Sequence, residues 1–132
     1  MTTRAVERSD EEWLAKLGEN RFRILRRAGT EPAFTGEYWN TETPGTYVCA
    51  GCETPLFTST QKFHSGCGWP SFFDELPGGV VETRTDRSYG MVRVEIVCKA
   101  CGGHLGHVFE DGPAPTGLRY CVNSASVVLK PT

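Results

Sequence analysis

The sequence predicts a mainly β protein with a short helical arm at its amino-terminal end and a cysteine cluster suited to a metal ion. Beyond residue 34, glycine and proline interrupt the chain about every ten residues, and the runs between them are short, β-branched and aromatic, which is typical of strands. A capped segment with one apolar face precedes them. Two CxxC pairs each follow a strand-like run.

The helical arm is predicted from two capping signals. Ser9 predicts the N-cap of a first helix because acidic residues fill the turn that follows it. Asn20 predicts the N-cap of a second helix, which ends in a basic turn before Gly29. The apolar residues of the two helices are Trp13, Leu14, Leu17, Phe22, Ile24 and Leu25.

The β body is predicted from five clear strand segments. They are 46–49, 80–83, 88–98, 107–110 and 118–129. The glycine- and proline-rich stretches between them are too short to link separate domains. At 132 residues we expect one domain over 1–132, with the arm over about 1–34 and the β domain over about 35–130.

Charge and hydropathy exclude several classes of partner. The formal net charge of -2 and the absence of a basic run disfavour nucleic acid. No apolar run approaches the length needed to span a membrane, and the first twenty residues lack the apolar core of a secretory signal. We therefore expect a cytoplasmic protein, in which six cysteines point to metal binding or catalysis rather than to disulfides.

Four of the cysteines have the spacing of a structural metal site. Cys49 and Cys52 follow the run TYV, and Cys98 and Cys101 follow VEIV. Two strand-to-turn units of this kind can bring four thiolates around one tetrahedral zinc ion. A redox-active CxxC motif or ordinary buried cysteines are the alternatives, but neither explains two copies that each follow a strand.

The segment GLRYCVNSASVV carries a fifth cysteine on an unusually polar strand face. Strand alternation places Arg119, Cys121 and Asn123 on the same side. A guanidinium group lowers the pKa of a neighbouring thiol, and an asparagine amide can donate a hydrogen bond to a bound oxyanion. This face therefore suits a nucleophilic thiolate, although a lone cysteine in a strand is commonly a small buried hydrophobic residue.

Two further segments supply groups that such a thiolate needs. In HLGHVFED, extended backbone would place His107, Phe109 and Asp111 on one face, with His104 nearby as a second imidazole. Cys67 lies in the glycine-rich HSGCGWPSFF, where a thiol would be exposed and mobile enough to resolve an oxidised partner. The histidines can also be turn caps, and the aromatic residues of this loop can be core.

The motifs HSGCGWPSF, CGGHLGHVF and GLRYCVNSAS, together with both CxxC pairs, closely resemble the B-type peptide methionine sulfoxide reductases. The resemblance covers about residues 35–130. It implies a β-tent fold of two antiparallel sheets with a structural zinc ion held by Cys49, Cys52, Cys98 and Cys101.

The resemblance also implies a reaction at Cys121. Its thiolate would attack the sulfur of a methionine-R-sulfoxide, free or in an oxidised protein, and would be left as a sulfenic acid when methionine departs. His107 would be the acid that protonates the oxygen, with His104 assisting. The expected activity is that of a peptide-methionine (R)-S-oxide reductase, which repairs oxidised proteins.

The other matched positions would prepare this site. Asp111, Arg119 and Asn123 would position groups and tune the thiolate. Trp69 would form the wall that receives the substrate methyl group, with Phe109 as a second aromatic residue there. Because exchanging methyl and oxygen would place a polar atom against the indole ring, such a wall selects one epimer.

Cys67 matches the position of a resolving cysteine in this family. It would attack the sulfenic acid to form a disulfide with Cys121, which thioredoxin would then reduce. One departure is His64, where many members have aspartate, and it bears on the electrostatics of the loop only.

Two other functions remain open on the sequence. A zinc-stabilised binding module would need the CxxC pairs but not Cys121, the HLGH pair or Cys67. A general thiol peroxidase would use Cys121 and Cys67 without the aromatic pocket around Trp69.

Overall fold

The computed structural model describes residues 6–132, in which two short helices precede a body of antiparallel strands. The helices are α1 (Asp10–Leu17) and α2 (Glu19–Arg26). The strands are β1 (Gly45–Cys49), β2 (Pro55–Thr58), β3 (Lys62–Phe63), β4 (Ser71–Phe72), β5 (Val81–Asp86), β6 (Arg93–Cys98), β7 (His104–Phe109), β8 (Arg119–Val122) and β9 (Val127–Pro131).

The strands form two sheets, which confirms the predicted fold class. One sheet has three strands in the order β2-β1-β9, and the other has six in the order β3-β4-β8-β7-β6-β5. Every strand pairing in them is antiparallel. Strands β8 and β9 are neighbours in sequence but belong to different sheets, so the chain passes from one sheet to the other between them.

Aromatic side chains fill the space between the two sheets. Phe57 of the smaller sheet stacks on Phe72 of the larger one, with ring centroids 4.5 Å apart, and Tyr47 meets the same ring edge-on at 5.1 Å. All three side chains are fully buried. Burying aromatic surface of this size, about 150–250 Å² per side chain, makes this layer a major source of hydrophobic stabilisation.

The first helix begins where the sequence predicts, and the second does not. Ser9 caps α1 in a capping box, since its side chain accepts from the Glu12 N–H while the Glu12 carboxylate accepts from the Ser9 N–H. The N-cap of α2 is Gly18, so the prediction of Asn20 as the cap is wrong. Gly18 has φ of +80°, a conformation that lets one residue end α1 and begin α2.

Two of the predicted strands are shorter than expected. The segment 88–98 begins with a 3-10 turn over Ser88–Gly90, and only Arg93–Cys98 is strand. The segment 118–129 is interrupted by a second 3-10 turn over Ser124–Ser126, where the chain changes sheets. Strand periodicity did not show this interruption, because strand-like residues lie on both sides of the short SAS segment.

The helices pack over the cysteine cluster. Trp13 and Leu25 are buried there, and both lie so close to Gly51 that a Cβ atom at that position would press on them. Arg26 donates to the carbonyl oxygen of Cys101 at 2.8 Å and places its guanidinium over the Trp13 ring at 4.7 Å. Neither helix is long and apolar enough for a membrane span, and residues 6–132 contain no other helix that is.

Candidate functional site

The four cysteines of the CxxC pairs converge at the junction of the two sheets. Cys49 ends β1 in the smaller sheet, and Cys98 ends β6 in the larger one. The Sγ atoms of Cys49 and Cys101 lie 3.7 Å apart, those of Cys52 and Cys98 lie 3.6 Å apart, and all four lie within 4.8 Å of one another. The close contacts thus join one motif to the other, unlike two separate redox-active pairs.

The two CxxC turns have the same backbone geometry. The Glu53 N–H donates to the Cys49 carbonyl at 2.9 Å, and the Gly102 N–H donates to the Cys98 carbonyl at 2.7 Å. Both donor residues have a left-handed backbone conformation, with φ of +63° at Glu53 and +77° at Gly102. The predicted duplication of a strand followed by a tight turn is therefore present in the structure.

This arrangement fits a tetrahedral metal ion. Zinc–sulfur bonds of about 2.3 Å place the sulfurs of a tetrahedral site about 3.8 Å apart, close to the separations seen here. The neighbouring sulfurs, Cys101 first, and burial raise the pKa of the Cys49 thiol above its ordinary value. Four sulfurs at this distance cannot all be thiolates unless a cation neutralises them, so the donor set calls for a metal.

A second group of reactive side chains lies in one row across the six-stranded sheet. The register pairs Ser71 with Cys121, Cys121 with His107, and His107 with Glu95. Residues paired in this way point to the same face of the sheet. The close approach of β7 and β8 requires glycine at Gly106, where a Cβ atom would collide with the carbonyl oxygen of Cys121.

The Cys67 thiol lies next to Cys121 in this row. The two Sγ atoms are 3.7 Å apart, which is too long for a disulfide bond and short enough for one sulfur to reach the other after a small shift. Cys67 reaches this position because its loop folds back at Gly68, where φ is +92°. The Gly68 carbonyl accepts from the Phe34 N–H at 2.7 Å, which ties the loop to the arm.

The two thiols differ in acidity, and the pKa of Cys121 is raised although the sequence analysis expected Arg119 to lower it. Burial, followed by the neighbouring Cys67, raises the pKa of Cys121 to about 12, and Arg119 opposes this increase without overcoming it. Burial also disfavours the Cys67 thiolate, but hydrogen bonds to Ser65, Ser71, the Trp69 backbone and Cys121 together lower its pKa to about 7. Cys67 is therefore the first of the pair to ionise.

His107 is held by a carboxylate that the sequence analysis missed. Its Nε2 atom lies 2.7 Å from Asp86 Oδ2, and the same carboxylate accepts from Arg93 at 3.2 Å and from the Ser88 N–H. Burial lowers the pKa of His107, and the bond to Asp86 partly offsets that decrease. With Nε2 occupied, Nδ1 is the ring nitrogen left for the cavity.

His104 is more deeply placed. It is 5% exposed, and its Nδ1 lies 2.7 Å from Glu95 Oε2, which holds the pKa of that carboxyl below its usual value. The His104 ring meets His107 edge-on with centroids 5.7 Å apart. It does not line the cavity described next, so it reaches the reacting groups only through His107.

A cavity of about 250 Å³ opens beside Cys121. Its lining residues are Thr30, Cys67, Trp69, Arg93, Gly106, His107, Phe109, Arg119, Cys121 and Asn123. The Trp69 Nε1–H donates to the Glu31 carbonyl at 2.9 Å, so that the apolar atoms of the indole remain to form the wall. A second cavity of about 290 Å³, between α2 and residues 31–37, has no cysteine or histidine in its lining.

Arg119 and Asp111 form one unit at the mouth of this cavity. Two hydrogen bonds of 2.9 and 3.1 Å join the guanidinium to the Asp111 carboxylate, and the cation lies 4.4 Å above the Phe109 ring. Asp111 lies beyond the end of β7 and is exposed, so it holds Arg119 rather than lining the cavity. Arg119 is thereby kept close to both sulfurs.

Asn123 and Glu31 connect the arm to the site. Asn123 is 3% exposed, accepts from the Glu31 N–H at 3.1 Å and donates to the Leu105 carbonyl at 3.3 Å. The amide oxygen and one amide N–H are thus engaged with the backbone, which fixes the side chain where it lines the cavity. Glu31 also accepts from the Ala125 N–H at 3.0 Å and is buried.

Sequence reasoning missed Asp86, Glu95 and Glu31, and the reasons differ. Glu95 had a detectable signal, since it is an acid within the otherwise apolar run VEIV. Asp86 lies at the end of an exposed strand and meets His107 only through cross-strand register. Glu31 lies in the arm, 92 residues before its partner Asn123.

The sequence matches proteins of one known family. The model of the SelR domain matches residues 17–131. The peptide methionine sulfoxide reductase MsrB of Acinetobacter baumannii is 61% identical over 125 residues, covering 95% of this chain and 90% of that protein. The corresponding MsrB proteins of Acinetobacter baylyi and Teredinibacter turnerae are 58% identical over 125 residues and 59% identical over 120 residues.

These alignments cover 95% and 91% of this chain and 90% and 89% of the respective relatives. Both the family match and the identities extend across the two CxxC pairs, the Cys67 loop and the strands that carry His107 and Cys121. The chain therefore belongs to the MsrB family of SelR-domain proteins.

Proposed function

We propose that the protein reduces methionine-R-sulfoxide to methionine, with Cys121 as the nucleophile. The observation that carries this proposal is the geometry of one cavity, which brings the Cys121 and Cys67 sulfurs within 3.7 Å beside His107 and Trp69. The curated relatives are peptide methionine sulfoxide reductases by name, which supports the same reaction here.

The first step transfers oxygen from the substrate sulfur to Cys121. The Cys121 sulfur, deprotonated as it reacts, forms an S–S bond to the sulfoxide sulfur while the sulfoxide oxygen takes up a proton. The S–O bond of the substrate then breaks, the oxygen bonds to the Cys121 sulfur as hydroxide, and the S–S bond breaks with its electron pair on the methionine sulfur. Methionine leaves reduced by two electrons, and Cys121 becomes a sulfenic acid. Because the pKa of Cys121 is raised to about 12, its proton must be removed during the reaction rather than before it.

His107 supports proton transfer in this step. It lines the cavity and keeps Nδ1 available while Asp86 holds Nε2. General acid catalysis of this kind contributes about 10²–10⁴-fold to a rate. His104 and Glu95 orient His107 from behind, and Arg119 stabilises negative charge on the sulfurs or on the transferring oxygen.

Substrate recognition depends on the aromatic wall. Trp69 presents an apolar surface to the substrate methyl group, and Phe109 lines the same cavity with its ring under Arg119. The S epimer would place its oxygen against the indole ring without a hydrogen bond, which costs free energy. Selection of the R epimer follows from that difference.

The second step uses Cys67. Its sulfur attacks the sulfenic acid of Cys121, forming a disulfide and releasing the oxygen as hydroxide, which becomes water on protonation. A dithiol protein of the thioredoxin type then reduces the disulfide. Residues 64–66 of the Cys67 loop are exposed, which gives such a partner access to one side of the bond.

The four-cysteine cluster holds a structural zinc ion in this proposal. Cys49, Cys52, Cys98 and Cys101 supply all four ligands, so that the ion has no open position for substrate. Its contribution is mechanical, because it ties the end of β1 in one sheet to the end of β6 in the other.

Replacing Cys121 with serine tests the nucleophile. We expect Cys121→Ser to abolish reduction of N-acetyl-methionine-R-sulfoxide, because a serine hydroxyl, unlike a thiol, cannot accept the oxygen to form a sulfenic acid. Methionine formation is measured by chromatography with resolved R and S epimers, and the wild-type protein is expected to consume only the R epimer. Retained activity in Cys121→Ser, or equal use of both epimers by the wild type, would contradict the assignment.

Replacing Cys67 with serine separates the two steps. We expect Cys67→Ser to form about one equivalent of methionine per chain and then stop in the presence of thioredoxin, because the sulfenic acid has no resolving thiol. Product is counted in single-turnover and steady-state experiments. Normal steady-state turnover of this variant with thioredoxin would rule out the resolving role.

Removing the Asp86 charge should change the pH dependence of the first step. Asp86 raises the pKa of His107, so Asp86→Asn lowers it further, and the protonated fraction of His107 at neutral pH decreases. We expect the pH above which the single-turnover rate falls to move down by about one unit, a loss of about tenfold at pH 7.

Glu82→Gln is the matched control for this variant. Glu82 lies on the same strand as Asp86 and forms an ion pair with Arg84. An unchanged profile in Asp86→Asn, or the same shift in both variants, would exclude Asp86 as the partner that tunes His107.

Removing one ligand of the cysteine cluster should release the metal. We expect Cys98→Ser to lower the metal content from about one ion per chain and to reduce the melting temperature, because the remaining thiols no longer neutralise the ion or close its tetrahedron. Elemental analysis and calorimetry are the measurements. Cys67→Ser, which leaves the cluster intact, should keep its metal; metal-free wild-type protein purified without chelator would refute the zinc assignment.

A further inference from the structure

Two serine hydroxyls surround Cys67, and the reaction described above gives them no part. Ser65 Oγ lies 2.9 Å from Cys67 Sγ and 2.8 Å from Ser71 Oγ. Ser71 Oγ in turn lies 3.4 Å from the same sulfur. The thiol is therefore held between two hydroxyl groups that also contact each other.

The sheet fixes one of these hydroxyls in place. Ser71 lies on β4, is fully buried and pairs with Cys121 across the strands. Ser65 lies in the exposed loop, but its Oγ accepts from the Cys67 N–H at 3.3 Å and contacts Ser71. Ser65 thus anchors the Cys67 loop to Ser71, the residue that pairs with Cys121.

The hydroxyl groups of Ser65 and Ser71 can form hydrogen bonds with Cys67 both as a thiol and as a thiolate. As a thiol, Cys67 can donate to the Trp69 carbonyl, 3.6 Å away, which Ser71 also reaches at 3.1 Å. As a thiolate, the sulfur is an acceptor only, and both hydroxyls can turn their hydrogens toward it. Rotation about two C–O bonds is the only change that this exchange requires.

We propose that Ser65 and Ser71 are positioning residues for disulfide formation, holding the Cys67 thiolate against the Cys121 sulfur until the sulfenic acid forms. This rests on the proposed function of Cys121. In the step concerned, an electron pair on Cys67 forms the S–S bond, the S–O bond of Cys121 breaks, and the oxygen leaves with its pair as hydroxide. Cys67 is oxidised and the sulfenic sulfur is reduced.

The ionisation of the two thiols agrees with this assignment. Burial opposes the ionisation of Cys67. Hydrogen bonds with the two serine hydroxyls, the Trp69 backbone and Cys121 outweigh burial and lower the pKa of Cys67 to about 7. The other charged or titratable groups around the sulfurs are Arg119 on β8, His107 on β7, Arg93 on β6 and Glu31 in the arm. The contacts with Ser65 and with the Trp69 carbonyl, by contrast, are made by Cys67.

Peptide-resolved alkylation can test the two hydroxyls directly. Trypsin yields one peptide of residues 63–84, in which Cys67 is the only cysteine, and another that begins at Tyr120 and contains Cys121. Initial alkylation rates with iodoacetamide at a series of pH values therefore report each thiol in the same metal-loaded protein. In the wild type we expect the Cys67 midpoint near pH 7 and that of Cys121 several units higher.

Ser65→Ala should raise the Cys67 midpoint by about one pH unit, and Ser71→Ala should act in the same direction. In Ser65→Ala, disulfide formation after one equivalent of methionine-R-sulfoxide should become about fivefold slower at pH 7, with the first methionine released at the wild-type rate. Ser65→Thr, which keeps the hydroxyl, should restore both values. Ser59→Ala, whose hydroxyl binds the Gly45 N–H far from the site, should change neither.

Each outcome decides the assignment. An unchanged Cys67 midpoint and disulfide rate in both alanine variants would overturn it, and so would the failure of Ser65→Thr to restore a loss seen in Ser65→Ala. Ser65 is exposed, so its alanine variant folds even if Ser71→Ala does not. If the wild type reduced no sulfoxide while the serine variants still shifted the midpoint, the proposed function would fail together with the role in disulfide formation, and only the effect of the hydroxyls on the acidity of Cys67 would stand.

Discussion

The register of four antiparallel strands determines what this protein can do. Because β4, β8, β7 and β6 pair without a slip at this level, Ser71, Cys121, His107 and Glu95 form one row on one face of the sheet. A shift of one residue would turn Cys121 into the core and Val122 toward the cavity. The close contact at Gly106 keeps β7 and β8 near each other, so the distance between imidazole and thiol depends on the backbone and not on a flexible loop.

The cysteine cluster supports this register by connecting the two sheets. It joins the end of β1 to the end of β6, and the arm covers it with Trp13 and Leu25. The aromatic layer of Tyr47, Phe57 and Phe72 holds the sheets together by burial alone, which is not directional. Four bonds to one ion would add direction, and thereby fix how the smaller sheet sits against the larger one.

What the sequence could predict is local, and what it could not predict is set by distant contacts. Strand alternation correctly placed Arg119 and Cys121 on one face, and duplicated CxxC turns identified the cluster. Asp86 remained hidden because only register brings it to His107. The sequence indicated that Arg119 lowers the pKa of Cys121 but could not show that burial outweighs the guanidinium, because burial arises only in the folded arrangement.

The same distant contacts explain why the arm belongs with the site. The Glu31 N–H donates to Asn123, while the Glu31 carbonyl accepts from Trp69 and its carboxylate accepts from the Ala125 N–H. Glu31 thus joins the Trp69 ring to the segment that follows the Cys121 strand. Three residues later, the Phe34 N–H donates to the Gly68 carbonyl in the Cys67 loop. Since the helices of the arm also pack on the cysteine cluster, movement of the arm would disturb the cluster, the wall and the loop together. A stable arm is therefore a condition for aligning the two sulfurs.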